Sequence, residues 1–228
     1  MKQIIIWLML CLSAAACSDN DEPVMPQPVQ KGTFTDERDG TEYHWVRFDT
    51  LDWMVENLRY EPLNGTFAPD LTPVWPGYYD DGKNTAYYET YGGLYDLEAA
   101  QEAVPEGWRL PTDADWQCLE QALGMTACEA AATGKRGDVQ GEWLRDAGGI
   151  SLLLGGYLIP EEAEKDKMKV DTYTSIYGLY WSATTDETKP NESFAWCRKL
   201  QYNSSQVERE SVSKNYQLSV RCVRRAIP

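Results

Sequence analysis

Residues 104–116, VPEGWRLPTDADW, constrain the fold of this chain most strongly because they determine where a helix begins. Pro111 disfavours helical geometry in the residue before it, so the helix cannot start earlier. Thr112 is a suitable N-cap, and Asp115 three residues later completes a capping-box pair. Apolar residues then recur at helical spacing: Trp116, Leu119 and Leu123. We predict that this junction packs a core and does no chemistry.

Further short helices are predicted around this one. Thr126 with Glu129 repeats the capping pattern, which predicts a helix through about Ala132. The segments GGLYDLEAA and GDVQGEWLRDAGG, residues 92–100 and 137–149, each predict one more. The tryptophans of the predicted regular elements are assigned to the core: Trp108, Trp116, Trp181 and Trp196. Helices therefore occupy the middle of the chain.

Alternating apolar residues predict strands at both ends of the chain. Asp39-Gly40 indicates a hairpin with a two-residue turn between strands at 32–38 and 41–48. A long irregular loop follows at 61–92. Five later segments are predicted to be strands: 151–154, 176–182, 194–202, 206–212 and 218–224. This order predicts an α+β domain in which the N- and C-terminal strands meet in one antiparallel sheet, with a few short helices and long loops.

The first residues carry a secretion signal, MKQIIIWLMLCLSAAAC. Lys2, an apolar run and small residues up to Cys17 are typical of a signal peptide at 1–16, which is too short to be a spanning helix. The three alanines before Cys17 resemble a bacterial lipobox, although the usual Leu is Ala14 here. We expect Cys17 to be acylated and to anchor the chain in a membrane. Secretion with cleavage nearby is the alternative.

Residues 17–30 are interpreted as a tether between the lipid and one folded domain at 31–228. The stretch SDNDE after Cys17 resembles the acidic export signal of Bacteroidota surface lipoproteins, and PVMPQPVQ is an extended, Pro-rich spacer. We therefore expect a lipid-anchored protein of the outer membrane that is displayed on the cell surface. Retention on the periplasmic face is the alternative.

The charge of the chain limits its partners. The formal net charge is −15, the isoelectric point is near 4.5, and the sequence contains no basic cluster. This balance argues against nucleic acid and polyanionic sugars as ligands. The charge is compatible with a neutral glycan, a protein or a cationic peptide as the ligand.

The cysteines after Cys17 suit an oxidising compartment. Spacing favours two disulfides, Cys118 with Cys128 on consecutive helices and Cys197 with Cys222 on strands near the C-terminus. Buried free thiols are the alternative. The absence of a CxxC motif means that neither a redox site nor a zinc site is indicated.

Eight motifs taken together resemble a known family. They lie in order between Gly32 and Arg224: GTFTDERDGTEYHWVRF, LDWMVENLRY, YGGLYDLEAA, PEGWRLPTDADWQCLE, GDVQGEWLRDAGG, LLLGGY, GLYWSAT and YQLSVRCVR. The chain is thereby similar to the Fibrobacter succinogenes major paralogous domain, which is common in lipoproteins of Bacteroidota and Fibrobacterota. The resemblance implies a fold similar to the C-type lectin-like fold. It does not imply a defined biochemical role.

The chain also departs from the patterns of these proteins. Val104 stands where family members often carry a cysteine, so the resemblance leaves Cys222 without that partner and favours Cys197. Lys189-Pro190-Asn191 lacks the acidic calcium ligand of calcium-dependent lectins, and Trp-Ser-Ala-Thr at 181–184 replaces their Trp-Asn-Asp. We therefore expect no lectin-type calcium site and no cofactor.

An enzymatic role is not expected from the residues. His44 is the single histidine, and it lies in an alternating strand where a surface side chain is the ordinary outcome. Without His44 as a base, no Ser-His-Asp or Cys-His catalytic set can be assembled. The pairs Asp80-Asp81 and Glu161-Glu162 resemble solvated loop acids more than a glycosidase pair.

Two tyrosine-rich stretches are predicted to bind ligand, because aromatic faces stack on sugar rings or peptide side chains while carboxylates accept hydrogen bonds. The first stretch, within 61–92, contains Trp75, Tyr78, Tyr79, Asp80, Asp81, Tyr87, Tyr88 and Tyr91. The second, at 157–180, contains Tyr157, Tyr173, Tyr177 and Tyr180. Aromatics that fill a loop-rich core are the alternative.

The sequence therefore predicts a non-catalytic binding module for a glycan or for a host or protein ligand. A structural or adhesive component of the cell envelope or of fimbriae is the alternative.

Overall fold

Short strands and helices alternate along residues 23–68, 85–160 and 173–226, the part of the chain that the computed structural model describes. The strands are β1 Gln30–Thr35, β2 Glu42–Phe48, β3 Leu51–Met54, β4 Phe67–Ala68, β5 Leu94–Tyr95, β6 Gly134–Arg136, β7 Tyr177–Thr185, β8 Phe194–Gln201, β9 Val207–Ser213 and β10 Val223–Arg225. The helices are α1 Thr85–Tyr91, α2 Leu97–Ala103, α3 Asp113–Ala122, α4 Ala127–Ala131 and α5 Gln140–Arg145, with a 3-10 turn at Pro190–Glu192. The predicted α+β class is confirmed.

Two four-stranded antiparallel sheets form the framework. The first has the order β1-β2-β3-β10, and β10 joins it through pairs such as Val223 with Trp53. The prediction that N- and C-terminal strands share a sheet is therefore confirmed. The second sheet, in the order β6-β9-β8-β7, holds the strands predicted near 176–182, 194–202 and 206–212. The sequence did not predict that these strands form a second sheet, separate from the first.

The helix starts follow the predicted capping chemistry. Thr112 accepts a hydrogen bond from the backbone N–H of Asp115, and the Asp115 carboxylate accepts one from the backbone N–H of Thr112. Thr126 and Glu129 form the same box at the start of α4. Such pairs satisfy N–H groups that the first turn of a helix leaves without partners. The helix predicted at 137–149 is present as α5. The helix predicted at 92–100 begins only at Leu97, as α2, because Leu94–Tyr95 forms β5 and Asp96 caps the helix.

The predicted two-residue hairpin turn at Asp39-Gly40 is wrong, although the hairpin itself is present. Thr35 pairs with Glu42, so residues 36–41 form the connection. Asp36 is buried, and its carboxylate accepts hydrogen bonds from the backbone N–H and the guanidinium of Arg38. These bonds hold a wider loop in place of a tight turn.

The strand predicted at 151–154 is also wrong. Residues 151–154 do not form a strand, and a buried side chain binds backbone carbonyls in this part of the chain. Arg221 donates to the carbonyl oxygens of Ile150 and Ser151 at 2.8 and 2.6 Å. A guanidinium thus occupies acceptors that a neighbouring strand would otherwise bind.

The core consists of two clusters of buried side chains. Trp108 and Trp181 belong to one, and Trp116 belongs to the other, where its ring lies 4.8 Å from that of Trp53. These three tryptophans confirm the core assignment. Trp196 does not, because it is only half-buried and carries the Arg209 guanidinium 3.6 Å from its ring centroid.

Both predicted disulfides are wrong, since all four described cysteines are free. Cys118 is exposed on α3 and lines a cavity beside the β2–β3 turn, whereas Cys128 is exposed on α4. Cys197 lies on β8 in the second sheet, and Cys222 lies just before β10 in the first. Both are fully buried, and burial raises the pKa of each thiol.

The predicted signal peptide and Cys17 fall within residues 1–22, outside the described residues. The N–H of Val29 donates to the carbonyl of Arg47, and β1 begins at Gln30, so the first sheet reaches into the segment predicted as a tether. Within the described ranges, no helix has the length and apolar character needed to cross a bilayer.

Candidate functional site

The candidate site lies where residues 153–158 run beside the start of β7. Gly156 forms a parallel bridge with Gly178, and Leu158 forms an antiparallel bridge with Gln217. A Cβ atom at Gly178 would collide with the backbone oxygen of Leu153, so glycine permits this close approach. This close approach positions Tyr157, which lies between Gly156 and Leu158 in the chain.

Three tyrosine rings meet at this point and are named here the aromatic triad: Tyr157, Tyr173 and Tyr177. The Tyr157 and Tyr173 rings are stacked, with centroids 5.2 Å apart and planes 13° apart. Tyr177 meets both rings edge-on, at 6.4 and 6.0 Å. Each residue is half-buried. The triad therefore forms an aromatic surface that solvent reaches in part.

A group of charged side chains, the Lys199 cluster, adjoins the triad. The Lys199 Nζ atom lies 5.2 Å from the Tyr177 ring centroid. It also lies 3.4 Å from Glu210 Oε1 and 3.8 Å from Glu208 Oε2. The side chains of all three charged residues are about one-quarter exposed. The second sheet thus places an ammonium group and two carboxylates next to aromatic rings.

The pKa values in this cluster reflect burial and charge together. Burial alone lowers the pKa of Lys199, but Glu210 and Glu208 outweigh it and raise that pKa. Burial raises the pKa of Glu210, an effect that Lys199 opposes and Glu208 reinforces. Lys199 is therefore charged at neutral pH, while Glu210 takes up a proton at a higher pH than an ordinary glutamate does.

This arrangement suits recognition of a ligand with both a flat apolar face and hydroxyl groups. Aromatic rings supply stacking area, carboxylates accept hydrogen bonds, and an ammonium group donates them. Binding sites combine these features when a few polar groups orient a ligand on an apolar surface.

The two predicted tyrosine-rich stretches come together at Tyr91 and Ser175. Tyr91, at the end of α1, places its hydroxyl 3.5 Å from Ser175 Oγ, between Tyr173 and Tyr177 in the chain. Tyr88 on the same helix is half-buried, and burial raises its pKa to about 12. Residues 85–91 of the predicted loop are therefore helical, and Tyr91 at the end of this helix lies beside Ser175.

Tyr180 was predicted to bind ligand, but it belongs to the core. Its side chain is fully buried, and its hydroxyl donates to the carbonyl of Leu153. Tyr177 and Tyr180 are three residues apart on β7, and successive side chains of a strand point to opposite faces. The three-residue spacing alone therefore places the two side chains on opposite faces of β7.

Several predicted residues lie outside the described part of the chain. They are Trp75, Tyr78, Tyr79, Asp80 and Asp81, with the pair Glu161-Glu162, and the side chain of Tyr87 is likewise not described.

His44 lies on the surface of the first sheet. Its Nδ1 atom is 2.7 Å from Glu56 Oε1, and 59% of its side chain is exposed. This position agrees with the predicted surface role.

Across residues 23–68, 85–160 and 173–226, no three acidic, histidine or cysteine side chains group closely enough to hold a metal ion.

Sequence reasoning missed a network of buried ions beneath the second sheet. Asp113 and Glu120 on α3 bind three arginines from β6, β8 and β9: Arg136, Arg198 and Arg209. All five residues are at most 8% exposed. A signal was present, since Asp113, Trp116 and Glu120 share one face of the predicted helix. This network joins α3 to the sheet that carries the Lys199 cluster.

We expect this network to make stability depend on acidic pH. Burial alone raises the pKa of Asp113, but hydrogen bonds from Arg209 and the charge of Arg198 lower it to about 2. A depressed pKa contributes stability that is present above the unfolded value of 3.8 and is lost as the pH falls through 2. The shift corresponds to about 2 kcal/mol.

Urea unfolding of the protein and of Asp113→Asn, measured from pH 5 to pH 2, checks this expectation. The difference in unfolding free energy between the two is expected to narrow by about 2 kcal/mol on acidification. A constant difference across that range would show that Asp113 is not held ionised by the arginines.

One family model matches the chain. It is described as the Fibrobacter succinogenes major domain, and it matches residues 46–224, from within β2 to within β10. The match includes the aromatic triad and the Lys199 cluster. No curated protein and no solved structure matches the chain.

Proposed function

We propose that this chain, which belongs to the Fibrobacter succinogenes major domain family, is a surface-exposed outer-membrane lipoprotein that binds a ligand without catalysis. The ligand is a glycan or a host or other protein. The observation that carries the proposal is the aromatic triad beside the Lys199 cluster. A neutral glycan fits this surface best, because the ring faces, carboxylates and ammonium group match sugar rings and hydroxyls.

We also propose that the domain is of the C-type lectin-like type. The support is that the strands at the two ends of the described chain meet in one sheet and that a second sheet carries the candidate surface.

Replacement of Tyr177 by alanine is expected to weaken ligand binding. An aromatic contact contributes about 0.5–1.5 kcal/mol, so affinity should fall about two- to tenfold. The binding partner is first identified on a glycan array and by capture of surface proteins, and its affinity is then measured by titration calorimetry. Tyr202→Ala is the matched control, because Tyr202 is 57% exposed but lines a different depression, with Arg145 and Ser204.

The proposal is contradicted if no glycan or protein binds, or if Tyr177→Ala binds as tightly as the unchanged protein. Tyr202→Ala should bind normally. Recovery of the protein only as a fixed part of an outer-membrane or fimbrial complex would favour a structural or adhesive role.

The lipid anchor rests on the sequence AAAC at 14–17 and is tested separately. Labelled palmitate should be incorporated into the protein but not into Cys17→Ser. Protease added to whole cells should digest the anchored protein if it is displayed on the surface. Equal labelling of both forms, or none of either, would remove lipidation from the proposal.

A further inference from the structure

A second candidate binding site lies on a different part of the molecule, between α3 and the first sheet. There a cavity of about 560 Å³ opens beside the β2–β3 turn and the end of β10. It shares no residue with the aromatic triad or with the Lys199 cluster. Any ligand held in it would therefore be additional to the one proposed above.

The cavity has an apolar floor of buried side chains. They are Phe48, Leu51, Trp53 and Leu119, each at most 9% exposed. The rim carries polar side chains that include Arg109 and Arg225. Arg47 also lines the cavity, but its guanidinium pairs with Asp52 on the other face of the sheet. An apolar floor with a charged rim suits a small amphipathic ligand.

The arginines differ in how far they are already neutralised. Arg47 donates to the Asp52 carboxylate through Nε and Nη2, and Arg109 binds Asp115 through both terminal nitrogens. Arg225 is exposed and makes no side-chain hydrogen bond or ion pair with any described residue. Its five N–H donors are therefore open to a ligand.

The charged groups on this face of the first sheet are few. Among the described residues that line the cavity, Arg109 is neutralised by Asp115, which leaves Arg225 and Asp49. Arg47 and Arg224 instead share Asp52 on the other face of the sheet. A guanidinium without a protein partner can bind a carboxylate through two parallel hydrogen bonds.

We propose that this cavity binds a small carboxylic acid that carries an aromatic or branched apolar group. The carboxylate pairs with Arg225 at the rim, and the apolar group rests on the floor formed by Leu51, Trp53 and Leu119. The exposed thiol of Cys118 lies on the cavity wall and reports on occupancy.

The test uses phenylacetate as the probe and measures how fast Cys118 reacts with iodoacetamide. Cys128, which is exposed on the neighbouring helix α4, is the internal control. Cleavage at Glu120 separates the two thiols for mass spectrometry. Phenylacetate should slow alkylation of Cys118 at least fivefold, in a saturable way, and should leave Cys128 unchanged. Phenylethanol, a neutral molecule of similar size, should give no such protection.

The variants Arg225→Gln and Arg225→Lys test the role of the charge. Arg225→Gln should abolish the protection, while Arg225→Lys should retain part of it. Absence of saturable protection, equal protection by phenylethanol, or full protection in a folded Arg225→Gln each overturns the proposal. The comparison of phenylacetate with phenylethanol on the unchanged protein tests the proposal even where a variant does not fold.

Discussion

Replacement of Glu120 by alanine is expected to lower the free energy of unfolding by about 3–5 kcal/mol, because it removes one partner of a buried ion network. Glu120 is fully buried and accepts two hydrogen bonds from Arg136 Nη2, at 2.9 and 2.8 Å. It accepts another from Arg198 Nε at 2.7 Å. Alanine would leave Arg136 buried without its carboxylate and Arg198 with Asp113 as its one remaining carboxylate among the described residues.

Urea unfolding followed by tryptophan fluorescence measures this change. Glu208→Ala is the control, because its pair with Lys199 is partly exposed and such pairs contribute about 1 kcal/mol or less. A loss below about 1 kcal/mol for Glu120→Ala would mean that water or rearrangement satisfies the two arginines. The network would then not hold α3 against the second sheet.

Replacement of Arg221 by methionine is the second change expected to be severe. Arg221 is fully buried and links distant parts of the chain, since its guanidinium donates to Asn57 Oδ1 and to the carbonyls of Met54, Ile150 and Ser151. Methionine fills similar space but donates no hydrogen bond. Each buried acceptor left without a partner costs about 1–3 kcal/mol, so a loss of at least about 3 kcal/mol is expected.

Arg145→Met is the matched control for this prediction. Arg145 also donates to backbone carbonyls, those of Gly141, Tyr202 and Ser204, but two of these contacts lie where water can replace the guanidinium. Its unfolding free energy should fall by about 1 kcal/mol. Equal losses of unfolding free energy in Arg221→Met and Arg145→Met would show that burial of Arg221 does not increase its contribution to stability.

Local chemistry explains what the sequence predicted well. The starts of α3 and α4 depend on side chains three residues apart, so Thr112 with Asp115 and Thr126 with Glu129 identify them without tertiary information. The hairpin of β1 and β2 was predicted from alternation and from the Asp39-Gly40 turn signal, but the predicted length of its turn was wrong. The buried carboxylate of Asp36 sets that turn, and burial of an aspartate is not visible in the residues around it.

The buried arginines could not be predicted from residue type, because arginine is rarely found fully buried. Arg198 and Arg221 are nevertheless completely buried, each held by partners more than 70 residues away. The disulfide predictions failed for a related reason. Proximity in sequence and in element type did not reveal that Cys197 and Cys222 belong to different sheets.

The candidate site was predicted in part. The region holding Tyr157, Tyr173 and Tyr177 was identified from composition, whereas the stacking of its rings and its neighbour Lys199 depend on how residues 153–158 pack against β7. Tyr180 was misassigned, although its position on the strand relative to Tyr177 already separates the two side chains.

Hydrogen–deuterium exchange of the full chain, with and without the glycan or protein that binds best, tests the central claim most directly. If the aromatic triad and the Lys199 cluster form the binding surface, backbone amides in residues 153–158, 173–178 and 199–201 should exchange more slowly when the ligand is bound. Protection confined to other parts of the chain, or none at saturating ligand, would contradict the account.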